Sequence, residues 1–268
     1  MGSPLRAFVR ITAYLALTAV LLPVQVFALR FSKPLSVRLP VFYHRTCTRL
    51  LGFQVRVHGK MHTEPPVLFA CNHTSYSDIA ILGSLLPASF VAKAEVQSWP
   101  LFGTLAKLQR TVFVDRRATK ATKQRDEMIR RLEAGDNLIL FPEGTSSDGN
   151  AVLPFKSALF SVAQVEPHGR PLMVQPVSLA YTRLDGMPVG RALRPYFAWY
   201  GDMTLAPHFW EVAGLGHTTV DIVFHSPVTI AAFESRKALA DSCQAVVARG
   251  VSAANAGRLD ALLPVSTS

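Results

Sequence analysis

The chain has 268 residues, with 28 lysines and arginines against 18 acids and a net charge of +10. That length allows one large domain or two small ones, with a sizeable core. Three cysteines, Cys47, Cys71 and Cys243, are odd in number, far apart and in no metal spacing, which argues against a disulfide framework and a structural zinc site.

The charge is not spread evenly. No acid precedes Glu64, and residues 1–60 hold Arg6, Arg10, Arg30, Lys33, Arg38, Arg45, Arg49, Arg56 and Lys60. The remainder is nearly balanced. A basic segment that is also apolar and aromatic suits an anionic membrane surface better than nucleic acid. Ile11–Leu29 is free of charge and just long enough to span a bilayer as a helix, although Pro23 and Gln25 suggest a kink or a segment dipping into one leaflet. A cleaved signal peptide is the alternative, since Val26-Phe27-Ala28 resembles a cleavage site. The retained anchor is preferred because membrane-facing sequence continues to Lys60, and basic flanks on both sides leave its orientation open. Around residues 41–53 the apolar positions approach helical spacing, as in an interfacial amphipathic helix or an ordinary packed one.

From there strands and helices alternate. Gln54–His58 alternates as a strand, and Val67–Ala70 is a buried one. Ile79–Leu86 reads as a short helix, Ser89–Ala92 as a strand, Pro100–Leu108 as a helix and Thr111–Val114 as a strand. A polar helix over Ala118–Ala134 ends at Gly135. Asn137–Phe141 is a buried strand, Ala158–Val165 a helix, Leu172–Leu179 and Thr218–Phe224 strands, and Ser235–Arg249 a helix. This pattern predicts an α/β fold, a mixed sheet flanked by helices behind an N-terminal membrane-associated helical segment. The divisions expected are residues 1–58, 59–254 and a weakly ordered tail at 255–268.

Three strands end in loops rich in chemistry: Asn72–Asp78, Asp115–Arg117 and Pro142–Thr145. Neighbouring strands would bring these loops to one sheet edge. His73 and Asp78 could pair if His73 lies in the loop and Asp78 in the first helical turn. Asp78 would then fix the imidazole tautomer and leave the other ring nitrogen to take a proton from a hydroxyl. Ser75-Tyr76-Ser77-Asp78 also reads as a capping box, so Asp78 could be a helix cap and nothing more. Pro142-Glu143-Gly144-Thr145 offers a carboxylate, a glycine permitting close approach and a hydroxyl, or simply a tight turn. Asp115-Arg116-Arg117 offers a cationic fork for phosphate or carboxylate, or a solvated helix start.

These residues carry a resemblance. Asn72-His73-Thr74-Ser75-Tyr76-Ser77-Asp78 resembles the His-X4-Asp motif of the glycerolipid acyltransferase family. Val112-Phe113-Val114-Asp115-Arg116 is similar to that family's second block, Phe141-Pro142-Glu143-Gly144-Thr145 to its third and Val174-Gln175-Pro176-Val177 to its fourth. The resemblance implies that His73, oriented by Asp78, activates the hydroxyl of a lysolipid for direct attack on the thioester of acyl-CoA or acyl carrier protein, with no cofactor or metal. It suggests Lys93 for the oxyanion, with an exposed lysine as the plain alternative. It implies Arg116, Glu143, Gly144 and Thr145 for the acceptor's polar head, and Pro176 on the acyl side in a structural capacity. The partners implied are membrane lipids, the lysolipid and the acyl donor, at a bacterial-type inner membrane with the catalytic domain on the cytoplasmic side.

One departure bears on the acceptor. The family's third block often continues with an arginine that helps hold a phosphate, whereas Ser146-Ser147-Asp148-Gly149 follows here. Family frequency favours 1-acyl-sn-glycerol-3-phosphate, giving phosphatidate. The alternative is a lyso-ornithine lipid, whose amine Asp148 could suit, or an enzyme taking both. Two rivals stand outside the family. A thioesterase of the serine hydrolase kind would want a Gly-X-Ser-X-Gly elbow, which is missing, and a non-catalytic lipid-binding membrane protein leaves His73 and Asp78 without a role.

Overall fold

The computed structural model describes residues 2–114 and 121–261. Eight strands form one mixed sheet: β1 (Phe53–Gly59), β2 (Val67–Cys71), β3 (Ala88–Lys93), β4 (Val112–Val114), β5 (Asn137–Leu140), β6 (Met173–Leu184), β7 (Met187–Pro188) and β8 (Thr218–Phe224). Their spatial order is β1-β8-β6-β2-β5-β3-β4, with β7 a short appendage on β6. All main-path pairs are parallel except β6 with β8. Every residue of β2 is buried, as expected for a central parallel strand covered on both faces.

The strand pleat sorts side chains into two cores. Phe69, Ile139, Leu179 and Ile222 face one layer, packed by α3 (Ser77–Gly83) and α6 (Leu205–Gly214) through Ile81, Leu82, Val212 and Ala213. Leu68, Ala70, Leu138 and Val174 face the other, packed by α5 (Ala121–Glu133) and α7 (Arg236–Asn255) through Leu132, Leu239, Cys243 and Val247. The cysteines are all buried and free.

The N-terminal region is a pair of helices, α1 (Pro4–Phe31) and α2 (Lys33–Leu50), each capped by a serine that accepts from a backbone N–H: Ser3 from Arg6, and Ser32 from Leu35. Helix α1 is apolar and long enough to cross a bilayer. It runs along the domain and is fastened at both ends. The Arg10 guanidinium donates to the carbonyls of Ala213 and Leu215 at the C-terminal end of α6, where unpaired carbonyls and the helix dipole favour a cation. Further along, the Gln25 amide donates to Ser36 and Leu108, tying α1 to α2 and to α4 (Phe102–Leu108). The buried stripe of α1 is Ala7, Tyr14, Thr18, Gln25 and Ala28, spaced by three, four or seven residues as one helix face requires. Its outward face carries Phe8, Val9, Leu15, Val20, Phe27 and Phe31, so the helix is more apolar outside than inside.

Some boundaries differ from those read in the sequence. The division at residue 58 falls within β1, which pairs along its whole length with β8, so this strand belongs to the sheet. Helix α2 starts well before residue 41 and accommodates Pro40. Beyond α7 the chain forms a short turn, Leu259–Ala261, with Leu259 buried beside Ala180 and Val223.

Candidate functional site

The parallel strands β2, β3, β4 and β5 all end at the same sheet edge, and the loops that follow them meet there. His73 lies in the loop after β2 and Asp78 in the first turn of α3. The His73 Nδ1 is 2.8 Å from Asp78 Oδ2. The same oxygen accepts the backbone N–H groups of Thr74 at 2.7 Å and Ser75 at 2.9 Å. The other oxygen accepts the Tyr181 hydroxyl at 2.7 Å, a donor delivered by β6. Asp78 is fully buried, so each of these donors compensates for lost water. Burial also pushes the Tyr181 phenol well above its ordinary value, which keeps it a donor. The two readings of Asp78 are therefore compatible, since one carboxylate shapes the loop and orients the imidazole. With Nδ1 facing a carboxylate, the assigned tautomer carries its proton there and leaves Nε2 with a lone pair. Phe141 stacks on the His73 ring at 4.1 Å and 19°, fixing its plane.

A second acid steadies the same loop. Glu143 accepts the His73 backbone N–H at 2.7 Å through Oε1 and that of Leu153 at 2.9 Å through Oε2. Its role in the geometry is to hold the histidine's backbone, and it does not line the cavity described below. Burial raises its pKa from 4.5 to about 7. Between those values the unfolded chain has released this proton and the folded protein has not. The native state then binds more protons, so this group's contribution falls as pH rises through that window. The change from 4.5 to about 7 corresponds to about 3 kcal/mol at most. Glu143→Gln is expected to alter the melting temperature relative to wild type by a margin that shifts by several degrees across pH 5 to 7.5 (roughly 2–4 °C per kcal/mol). A margin constant with pH would show that Glu143 does not titrate there.

The loop after β5 turns at Gly144, whose φ is +67°. That backbone conformation favours glycine, and a Cβ there would come within 2.7 Å of Lys156 Nζ and displace the end of the lysine side chain. The Gly144 N–H is itself engaged by Phe141 O at 3.0 Å. Ser147 closes the loop on the first motif by donating its N–H to His73 O at 2.9 Å.

His73 opens into a cavity of about 800 Å³ that runs beneath α1 and α2. Its wall includes Lys93, Gly144, Thr145, Lys156 and Trp199 together with His73, and Tyr14, Leu21, Leu22, Leu39 and Tyr43 from α1 and α2. The volume falls within the range of about 300–1,000 Å³ usual for ligand sites. The arrangement supplies a base with a free lone pair, nearby lysines and an apolar recess for a chain.

Of the residues singled out in the sequence, His73, Asp78, Lys93, Glu143, Gly144 and Thr145 come together at this edge. Arg116 lies outside the described residues, as do Asp115 and Arg117. Pro176 is buried in β6 opposite Ala70 and does not line the cavity. Its pleat partners Val174 and Ser178 face α7, where Ser178 bonds Val247 O, so contact with an acyl chain is not supported. Asp148 is engaged by its own loop, accepting from the Asn150 N–H at 2.9 Å and its amide at 3.0 Å, and it too is absent from the cavity wall. Tyr181, Lys156 and Trp199 were not identified from sequence. The register of β6 against β2 brings in Tyr181, and no local pattern marks the other two.

The chain belongs to the acyltransferase family: the family model "Acyltransferase" matches residues 54–180, and the similarity to curated acyltransferases extends over most of the chain. The chain is 46% identical to a lyso-ornithine lipid O-acyltransferase of Brucella abortus, over 90% of this chain and 91% of that one. It is 34% identical to a 1-acyl-sn-glycerol-3-phosphate acyltransferase of Neisseria gonorrhoeae, over 74% and 75%. The crystal structure of the 1-acyl-sn-glycerophosphate acyltransferase from Thermotoga maritima shares the fold, with a TM-score of 0.66 over 93% of both chains at 22% identity.

Proposed function

We propose that this protein transfers a fatty acyl group from an acyl thioester to the hydroxyl of a lyso-ornithine lipid at a membrane surface. The chemistry rests on one observation: His73, held through Nδ1 by Asp78, opens its other nitrogen to the cavity. His73 Nε2 takes the acceptor's hydroxyl proton as the oxygen adds to the thioester carbonyl. Lys93 faces the charge that develops on the carbonyl oxygen. Collapse of the tetrahedral intermediate breaks the C–S bond, and the thiolate of coenzyme A or acyl carrier protein leaves with the proton from His73. No acyl-enzyme and no cofactor enter this scheme. Thr145, Gly144 and the Lys156 beside it border the acceptor, together with Arg116 as the family resemblance suggests. The apolar recess under α1 and α2 receives a hydrocarbon chain.

The choice of acceptor departs from the expectation based on family frequency. The greater identity to a lyso-ornithine lipid enzyme, 46% against 34%, supports the amino-acid lipid. So does Ser146, which stands where an arginine would favour a phosphate. The exposed apolar face of α1 supports attachment to the bilayer, and the resemblance supports the cytoplasmic side of a bacterial inner membrane, where acyl thioesters are found. Purified protein assayed in parallel with lyso-ornithine lipid and lysophosphatidate should show the higher kcat/KM with the former. A clear preference for lysophosphatidate would restore phosphatidate synthesis as the function. Release of free fatty acid without a lipid acceptor would favour a thioesterase.

A further inference from the structure

Asp78 divides its donors unevenly. Oδ2 takes the imidazole and the N–H groups of Thr74 and Ser75, whereas Oδ1 takes the Tyr181 hydroxyl at 2.7 Å. The last torsion of an aspartate side chain is soft, so donors gathered on one oxygen leave the carboxylate free to swing about that contact. A donor on the second oxygen fixes the swing. It also draws charge from the carboxylate, as hydrogen bonds to an ionised acid do.

Tyr181 has little room to move. It is 4% exposed, stacks on Phe197 at 5.6 Å and 11°, and meets Phe53 edge to face at 6.2 Å. Its place along β6 is fixed from the first motif. Strand β2 pairs with β6 as far as Cys71 opposite Val177. Asn72 then extends the ladder with its side chain: Nδ2 donates to Leu179 O at 2.9 Å, and Oδ1 accepts the Leu179 N–H at 2.8 Å. Tyr181 follows two places on, so the pleat returns its side chain to the face of Val177 and Leu179, the one packed by α3. The residue before His73 thus sets the register of the residue that holds Asp78. The fourth block reaches the site through Tyr181 rather than through Pro176.

We propose that Tyr181 is a positioning residue for acyl transfer: its hydroxyl fixes the Asp78 carboxylate and limits the negative charge that the imidazole meets, which keeps His73 Nε2 available to the acceptor's hydroxyl. The proposal rests on the reading of His73 as general base and holds for either lysolipid. Full-length wild type, Tyr181→Phe and His73→Ala are assayed in the same mixed micelles with lyso-ornithine lipid and with lysophosphatidate, from about pH 5 to 9. Phenylalanine keeps the ring and deletes the hydroxyl. With each acceptor that wild type uses, kcat of Tyr181→Phe should fall about tenfold while KM changes little, as for one lost hydrogen bond to a charged group that acts through the base. The acid limb of kcat/KM, where the base gains a proton, should move to higher pH by up to about one unit, because carboxylate charge no longer shared with Tyr181 favours the imidazolium. Cys71, Tyr76 and Glu143, which interact electrostatically with Asp78 or Tyr181, are the same in both proteins. So are His44, Lys93, Glu95, Arg125 and Lys156 along the cavity wall, and the difference between the two profiles therefore belongs to this hydroxyl. A limb that stays in place or moves to lower pH would make Tyr181 a packing residue and overturn the proposal, whatever the melting temperature does. If Tyr181→Phe does not fold, 3-fluorotyrosine placed at position 181 alone keeps the hydroxyl and strengthens it as a donor. The limb should then move to lower pH, and an unmoved limb overturns the proposal. Near-normal transfer by His73→Ala would overturn the base reading itself, whereas an inert His73→Ala beside an unmoved limb in Tyr181→Phe overturns only the role of Tyr181.

Discussion

His73→Ala should lower kcat for acyl transfer by about a thousandfold or more while the protein stays folded. General base catalysis typically contributes about 10²–10⁴-fold, and here the base is oriented before substrate arrives. Asp78 receives two backbone N–H groups and the Tyr181 hydroxyl in addition to the imidazole, so removing the ring leaves the carboxylate still bonded. The loop's main fastenings, Glu143 to the His73 N–H and Ser147 to its carbonyl, are made by backbone atoms that alanine retains. The variant should therefore melt close to wild type. Near-normal transfer by purified, folded His73→Ala protein would remove the general-base assignment. Asp78→Asn is a harsher change, because an amide cannot accept all four donors, and it should cost stability as well as rate.

The second large effect concerns the outer face of α1. Phe8, Phe27 and Phe31 are each about 60% exposed or more. Phe27 and Phe31 touch one another, and the Arg30 guanidinium lies over Phe31. Neither ring is part of the core. Burying a phenylalanine in an apolar phase is worth about 1.5–3 kcal/mol, so replacing all three by serine should weaken partitioning onto lipid vesicles by about a thousandfold or more. Sedimentation with vesicles containing anionic lipid measures this directly. Unchanged binding of the triple variant would move the membrane contact elsewhere, for instance to α2. The argument also warns against deleting α1 outright. Tyr14 and Gln25 form part of the cavity wall, and Ala7 lies in the core, so truncation would damage the site along with the anchor.

Much of the catalytic edge was legible because it depends on local order. A buried strand followed by a polar loop, twice over, put His73, Asp78, Glu143 and Thr145 within reach of one another. Residues supplied by long-range register were not legible. Tyr181 reaches Asp78 across 103 positions of sequence, and only the parallel pairing of β2 with β6 brings it there. Pro176 shows the converse: it stands in one of the blocks that carry the resemblance, but the pleat turns it toward α7. Helix α1 was underestimated because Arg6 and Arg10 looked like flanks of an apolar span. Within the helix, Arg10 is satisfied by the carbonyl ends of α6, so the charge does not end the element. Trp199 lies in an irregular stretch whose conformation is set by contacts with two other loops, and nothing in its immediate sequence announces them.

The inverted polarity of α1 has a consequence for how the molecule is bounded. In a three-layer α/β sandwich the outermost helices normally present polar residues to water. Here the outermost helix presents phenylalanine, valine and leucine, and on the proposed membrane attachment lipid would complete the sandwich as a fourth layer. The inner side of that same helix lines the cavity into which His73 opens. In that arrangement the bilayer and the cavity would be separated by the thickness of a single helix. Lipid that binds the native protein on that face would add to its stability, and the proposed attachment makes the folded unit the chain together with a leaflet.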